Sequence, residues 1–350
     1  MNDTAGLLFQ KQGVTARFIS PSGKATERDI EIRIHPVTRR KCRVALSRIA
    51  EKEPGTASFP PPPPEALETS ACPFCQPQVA SQTPKLHPDI HPSGRLTVGD
   101  SLLFPNLFPY GAYSAVSLFD NTHFVEIGTA SLSSYTHCFM NCAQYLKRVL
   151  TCDPEAIYMA IAQNHLPSAG GSLLHPHLQI HADRISSNHH HFLQKTAATH
   201  FQETGACLFS DYLRHEKNEG SRYIGTTGDW EWMAAFAPEG FFEIWGILPA
   251  RTSLKDLNDE DWEALARGVL NTQKFYRSLC RNGYNLGMLF VEDKTPYLEL
   301  RVVIQVRSNY APWARNDFTS YEVMLGDMTT FVAPENTATQ ARAFWGSVSR

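Results

Sequence analysis

The 350-residue sequence lacks an excess of either charge: 32 Lys and Arg against 35 Asp and Glu leave a formal net charge of −3. Without a basic stripe there is no electrostatic footprint for nucleic acid or for an anionic membrane surface. No apolar run approaches the roughly 20 residues that a membrane-spanning helix needs. The opening MNDTAGLLFQ lacks the basic-then-apolar layout of an export signal, so a cytoplasmic protein is expected. Eight cysteines are thinly spread, and only Cys72 and Cys75 stand in C-x-x-C spacing. With no export signal, a disulfide framework is a poor reading. That pair reads as a metal site or a redox pair. Cys42, Cys138, Cys142, Cys152, Cys207 and Cys280 read as small buried hydrophobes. No histidine occurs after His215.

What is present is ordinary globular composition, 42% hydrophobic and 19% charged, long enough for one large core or two medium domains. Residues 1–30 are weakly patterned, and 31–46 alternate well enough for strands around a turn. Five prolines, Pro60 to Pro64, favour extended conformation and read as a surface linker. From residue 114 a strand and turn lead to a helix that Ser131 or Ser133 can cap. Tyr135, Phe139, Cys142, Leu146 and Leu150 lie on one helical face. A strand over 156–163 follows. The same order returns with a strand pair over 231–249 and a helix capped by Asn258, with Gly283 suiting its end. Strands over 284–291 and 297–306 complete it. The repetition predicts a duplicated α+β structure, with 186–228 as a connection that is partly helical around 192–216.

Between the first helix and its last strand stands NHLPSAGGSLLHPHLQIHA, residues 164–182. His175, His177, Gln179 and His181 fall on alternate positions. A strand would send them to one face, with Leu174, Leu178 and Ile180 on the other. Such a face can bind metal, attack a substrate or line a wet edge. His177 is the candidate nucleophile, because a neutral imidazole can attack phosphorus and divide a transfer into two steps. Asn164, Ser172, Gln179 and the Ala169–Gly171 backbone are placed in sequence to donate to phosphate. His189–His191 read as a solvated loop, His181 as structural, and Asp211, Glu216 and Arg222 as surface charges.

The pattern N-x5-G-x-S-x2-H-P-H-x-Q resembles the active-site signature of the galactose-1-phosphate uridylyltransferase family, a branch of the histidine-triad superfamily. RIHPVT at 33–38, CPFC at 72–75, FPNLFP at 104–109 and NTHF at 121–124 are similar to further family segments in the same order. So are FFEIWGILPARTSLKDL and SYEVMLGD in the second half. The resemblance implies an α+β fold: a duplicated histidine-triad-like structure of mostly antiparallel sheets, a half-barrel with flanking helices. It implies a catalytic half over 25–195 and a degenerate half over 205–350. His177 would be nucleotidylated and Gln179 would steady the adduct. His175 would be a zinc ligand with Cys72, Cys75 and His123, a donor set that suits a closed tetrahedral site. Arg48, Asn106, Asn164, Gly170, Gly171, Ser172, Arg315 and Tyr321 would contact substrate.

The resemblance also implies a homodimer whose sites are completed by the partner's C-terminal half. The activity it implies is transfer of a nucleoside monophosphate, UMP in the family, from a nucleotide sugar to a sugar 1-phosphate. Departures cluster on the acceptor side. Leu178 stands where the family has Gly or Ser. Asn316 and Met328 replace a sugar-binding lysine and glutamine. LELRVV stands where an H-x-H would hold another metal, so that second site is expected to be absent. Two alternatives follow: a phosphorylase of nucleotide sugars or dinucleoside polyphosphates that uses inorganic phosphate, and a zinc-stabilised nucleotide-binding protein without catalysis.

Overall fold

The computed structural model describes residues 6–45, 64, 68–293, 297–309 and 318–346. Arg48, Arg315, Asn316 and most of the proline run lie outside them. The chain begins with strands β1 (Gln10–Ile19), β2 (Ala25–Ile34) and β3 (Lys41–Val44), then a short helix α1 (Gln78–Gln82). Strands β4 (Leu96–Val98), β5 (Ser101–Pro105) and β6 (Tyr113–Leu118) precede helix α2 (Leu132–Cys152). Strands β7 (Tyr158–His165) and β8 (His177–Asp183) follow, then helices α3 (Asn188–Thr204) and α4 (Leu208–Glu219). The second half runs β9 (Tyr223–Thr227), β10 (Trp230–Ala234), β11 (Phe241–Leu248), α5 (Asp259–Ser278), β12 (Tyr284–Val291) and β13 (Leu300–Val306). Strand β14 (Met328–Thr330) and helix α6 (Pro334–Ala341) close it.

Ten strands form one sheet in the order β4-β5-β6-β8-β7-β12-β13-β11-β10-β9. All its pairings are antiparallel. Read from each end inward, the two five-strand sets have the same connectivity, with α2 and α5 in equivalent places. The fold is therefore α+β and duplicated, with the copies joined edge to edge by the β7–β12 pairing. Ser131 caps α2 through the Ser134 N–H, and Asn258 caps α5 in a reciprocal box with Asp261. Both helices bury an apolar stripe against the same sheet face. Each fully buried large side chain there contributes about 1.5–3 kcal/mol.

Between the two helices, at the join, Tyr135, Gln163, Gln273 and Tyr284 form a closed buried hydrogen-bonded cluster. The other sheet face is covered differently in each half. α3 and α4 pack on the second half. The segment carrying Phe74 and Val79 packs on the first. Among the described residues, no helix is long and apolar enough to cross a membrane.

Several expectations need correction. Residues 10–34 form two ten-residue strands whose first member is exposed throughout. Neither of its faces meets the core, so no two-residue hydrophobic period marks it. His189–His191 are the first turn of α3 under the Ser187 cap, and His190 is buried with its Nε2–H on the Met159 carbonyl. Helix α5 ends at Ser278. Gly283 lies beyond it, where a Cβ would meet the Ser168 hydroxyl at 2.4 Å. Cys152 is exposed, and Cys207 and Cys280 are half-buried.

Glu216 and Arg222 are buried, not surface, charges. Arg222 pairs with Glu216 and Glu335 at 2.9 Å each and lies over the Phe236 ring. Asp211 bonds His200 at 2.9 Å. Glu335 also takes both guanidinium arms of the buried Arg33, joining α6 to β2 and the end of α4.

Burial pushes the Glu335 carboxyl up, but Arg33 and then Arg222 outweigh it and hold the group at about 2, below its ordinary 4.5. A carboxylate depressed on folding adds stability above its unfolded value and loses it as pH falls through the folded one. Melting temperature should therefore drop between about pH 4.5 and 2. Glu335→Gln should be less stable at neutral pH and show a flatter drop across that window, as read by thermal melts at successive pH values.

Candidate active site

Three loops converge at the edge of β8. The first holds Cys72 and Cys75, in turns in which the Cys72 N–H bonds the Thr69 carbonyl and the Cys75 N–H bonds the Cys72 carbonyl. Both thiols therefore face the same side before α1 starts. The second follows β6 and carries Asp120 and His123. The Asp120 carboxylate accepts the Thr122 N–H at 2.7 Å and the Ser134 hydroxyl at 2.9 Å. This local turn fixes the chain just before His123. The third brings His175 and Pro176 into the strand.

The ligand atoms of Cys72, Cys75, His123 and His175 lie within 4.8 Å of one another, with both thiols and His175 buried. Cys75 Sγ is 3.2 Å from His123 Nδ1 and 3.5 Å from His175 Nδ1. The residues fit a metal ion on two grounds. His175 Nε2–H donates to the Asp120 carbonyl at 3.1 Å, which puts the Nδ1 lone pair toward the cluster; holding the outer ring N–H in this way is the usual support for a ligating histidine. Two thiols and two imidazoles without a cation are also poor company. Burial and the neighbouring Cys72 push the Cys75 thiol up to about 11, while burial lowers His175 to about 4, keeping it neutral. A bound cation converts such thiols to thiolates and uses the neutral imidazoles as they stand.

His177 opens β8. Its Nδ1–H donates to the His175 carbonyl at 2.8 Å, so the free lone pair is on Nε2. Burial lowers its basicity, against a smaller opposite effect of that bond. The Phe74 ring stands edge-on to His177, with centroids 5.4 Å apart, and to His175 at 6.1 Å. The cysteine loop thus packs directly on both imidazoles. Behind them lies His165, buried, stacked on Tyr284 at 4.8 Å, its Nε2 unpartnered. Burial and then His177 lower it to about 4. Leu178, Ile180 and Ala182 fill the core on the opposite face of β8.

Gln179 shares the His177 face, half-buried. Asn164 is the penultimate residue of β7, and its Oδ1 accepts the Asn285 Nδ2–H at 2.7 Å. The same Asn285 amide bonds the Ala169 carbonyl at 2.9 Å. Gly170 has φ +89°, and a Cβ on Gly171 would meet the Asn164 carbonyl at 2.8 Å, so both positions demand glycine. The expected phosphate cradle is nevertheless turned inward. The N–H groups of Ala169 and Gly171 bond the Leu166 carbonyl, and that of Gly170 bonds the Pro167 carbonyl. The donors left open on this side are the exposed Ser172, the Asn164 amide nitrogen and Gln179.

Asn106 sits in a turn whose Phe108 N–H it accepts at 3.1 Å. Leu107, Phe108 and Tyr110 beside it are exposed. Tyr321 is not on this sheet. It starts a helical turn before β14, with Arg43 over its ring at 5.9 Å. Asp120, Phe74, His165 and Asn285 were not singled out in the sequence. DNTH does carry the Asp-x-Thr turn signal for Asp120, and Phe74 stands inside CPFC; Asn285 has no local signal because it acts across the sheet.

No family model matches the chain. An uncharacterized protein of Archaeoglobus fulgidus is 28% identical over 343 residues, 97% of this chain and 99% of that one. Three solved structures share the fold. An Arabidopsis thaliana ADP-glucose phosphorylase with bound ADP-glucose has a TM-score of 0.66 at 19% identity, covering 89% of this chain and 98% of that one. An A. thaliana galt-like protein gives 0.64 at 19%, covering 79% and 92%. A uridylyltransferase gives 0.63 at 19%, covering 72% and 87%.

The Asp120 turn supports one ligand and precedes another. Asp120→Ala keeps the backbone carbonyl that holds His175 but removes the carboxylate that anchors the turn to the Thr122 N–H and the Ser134 hydroxyl. Metal retention should therefore weaken through a loosened His123 and a less fixed carbonyl. Competition with a graded chelator series, with bound metal read by elemental analysis, checks this; equal retention in both proteins shows that the Asp120 carboxylate is not needed to hold the turn.

Proposed function

We propose that the chain is a nucleotidyltransferase acting on nucleotide sugars through a covalent nucleotidyl-His177 intermediate. One observation carries the reading: the Nδ1–H of His177 is tied to the His175 carbonyl, which leaves a neutral Nε2 lone pair beside a four-donor metal cluster. In the first step Nε2 attacks the α-phosphorus of the nucleotide sugar. The P–N bond forms, the bond from the α-phosphorus to the bridging oxygen breaks, and sugar 1-phosphate leaves with that oxygen. In the second step a phosphate oxygen of the acceptor attacks the same phosphorus and the P–N bond breaks, returning the imidazole.

His177 is nucleophile and leaving group in turn. The His175 carbonyl accepts from Nδ1–H throughout and stabilises the charge that Nε2 attack places on the ring. Gln179, Ser172 and the Asn164 amide nitrogen are the donors for the non-bridging oxygens, and the apolar tongue beside Asn106 is the base contact. Arg48, Arg315 and Tyr321 keep their proposed substrate roles, Tyr321 toward the partner's site in a homodimer. A zinc ion on Cys72, Cys75, His123 and His175 would supply rigidity, because four protein ligands leave no open position for substrate. The acceptor is a sugar 1-phosphate or inorganic phosphate. The altered acceptor-side residues and the fold shared over 98% of an ADP-glucose phosphorylase favour keeping phosphorolysis as the second reading.

Incubation with UDP-glucose or ADP-glucose should add one nucleoside monophosphate to the protein, seen by intact mass, and release glucose 1-phosphate. His177→Ala should abolish the adduct. Gln179→Ala should slow it by about 10²–10³-fold if that amide supplies charge stabilisation. Nucleotide binding with no adduct from either donor would favour the non-catalytic alternative.

A further inference from the structure

The sheet's duplication places a second site opposite the first. The pseudo-dyad that superposes the starts of α2 and α5 passes through the Ile161–Met288 pair. By strand register it carries Gln179 onto Arg301 and His177 onto Glu299. Over this part of the second half, on the same sheet face as His177, lies a cavity of about 460 Å³. Ligand sites for small molecules begin near about 300 Å³.

Two donors in its wall are unspent. The Arg301 guanidinium stacks over Trp245 at 4.1 Å and Phe209 at 4.8 Å, and it makes no ion pair or hydrogen bond with any described residue. Stacking uses the face of the group and leaves its N–H edge for an anion. His35 is 1% exposed. Its Nδ1 accepts the N–H groups of Val37 and Thr38 at 3.0 Å each, so its proton is on Nε2, and that buried atom has no partner. Its ring lies 5.3 Å from Trp245. Both donors thus flank one indole.

The acids in the same wall are already engaged, Glu239 by the Thr38 hydroxyl at 2.7 Å and by Arg40 at 3.9 Å. Glu243 accepts from the Trp245 indole and the Glu239 N–H. Glu299 accepts from Ser210 and the Ala250 N–H. Asp327 pairs with Arg43, and Glu322 accepts from Thr319 and Thr329. Lys41 adds a positive charge to the lining.

We propose that this cavity binds a small phosphate monoester without reacting with it, the phosphate on the Arg301 fork and the His35 Nε2–H, the body against Leu289, Val291 and Val303. Glu299, in the place of the nucleophile, has its carboxylate tied to its own wall and cannot form the phosphoramidate that an imidazole can. Binding here does not require that His177 carry a nucleotide, so either reading can fail alone.

Titrating the full-length, metal-containing protein with glucose 1-phosphate, AMP and butyrate, followed by tryptophan fluorescence, tests the proposal. Saturation with at least one phosphate ester is expected, with a midpoint unchanged in His177→Ala and the signal lost in Trp245→Phe. Arg301→Gln should raise the midpoint by about tenfold or more, the scale of one lost charge-assisted contact. His35→Asn, which keeps an acceptor for the two N–H groups and withdraws the ring donor, should raise it too. If Arg301→Gln does not fold, His35→Asn decides. No saturation with either ester, midpoints unmoved by both substitutions, a signal lost in His177→Ala, or butyrate binding as tightly as the esters would each overturn it.

Discussion

His175 is the residue on which the candidate chemistry depends. Its ring is held from outside by the Asp120 carbonyl and offers its other nitrogen to the cysteine pair, while its own carbonyl takes the Nδ1–H of His177. One residue therefore couples the four-donor cluster to the tautomer of the candidate nucleophile. Burial makes the coupling strict. A neutral imidazole without its hydrogen bonds would be costly in that interior, so the two bonds are the terms on which the ring can be there at all.

The rest of the molecule serves to hold that arrangement still. The cysteine loop alone would be a surface turn; Phe74 wedges it onto both imidazoles. The glycine-bearing loop closes on itself through its own N–H groups, and the second half braces it from outside. Asn285 bonds both Asn164 and the Ala169 carbonyl, and Gly283 leaves room for Ser168. The β7–β12 pairing and the tyrosine–glutamine cluster beside it make this bracing rigid, because both tyrosine hydroxyls there are buried and bonded to Gln163 and Gln273.

Duplication explains the division of labour. Both halves place a strand with an outward polar face at the same point of the sheet. In the first, that face carries His177 and Gln179. In the second it carries Arg301 stacked on Trp245, over a cavity closed by α3 and α4. An inserted helical pair and a changed set of side chains thus turn one architecture into two different environments.

The periodic elements were legible in the sequence because each has one apolar face. The helices under Ser131 and Asn258 and the strands around 158–165, 284–291 and 300–306 alternate or repeat at their own period, and that period is a local property. The C-x-x-C pair and the alternating histidines were legible as chemistry for the same reason. Strand β1 was not, because it buries neither face, and the buried Arg222–Glu216–Glu335 group was not, because charge reads as surface until its partners are known. What the sequence determined by itself is which residues share a face of each element. What only the tertiary structure decided is which faces meet: that His123 and His175 reach two distant cysteines, that the loop's N–H groups turn inward, and that an asparagine 121 residues away steadies Asn164. Those are contacts between elements, and no period along a chain encodes them.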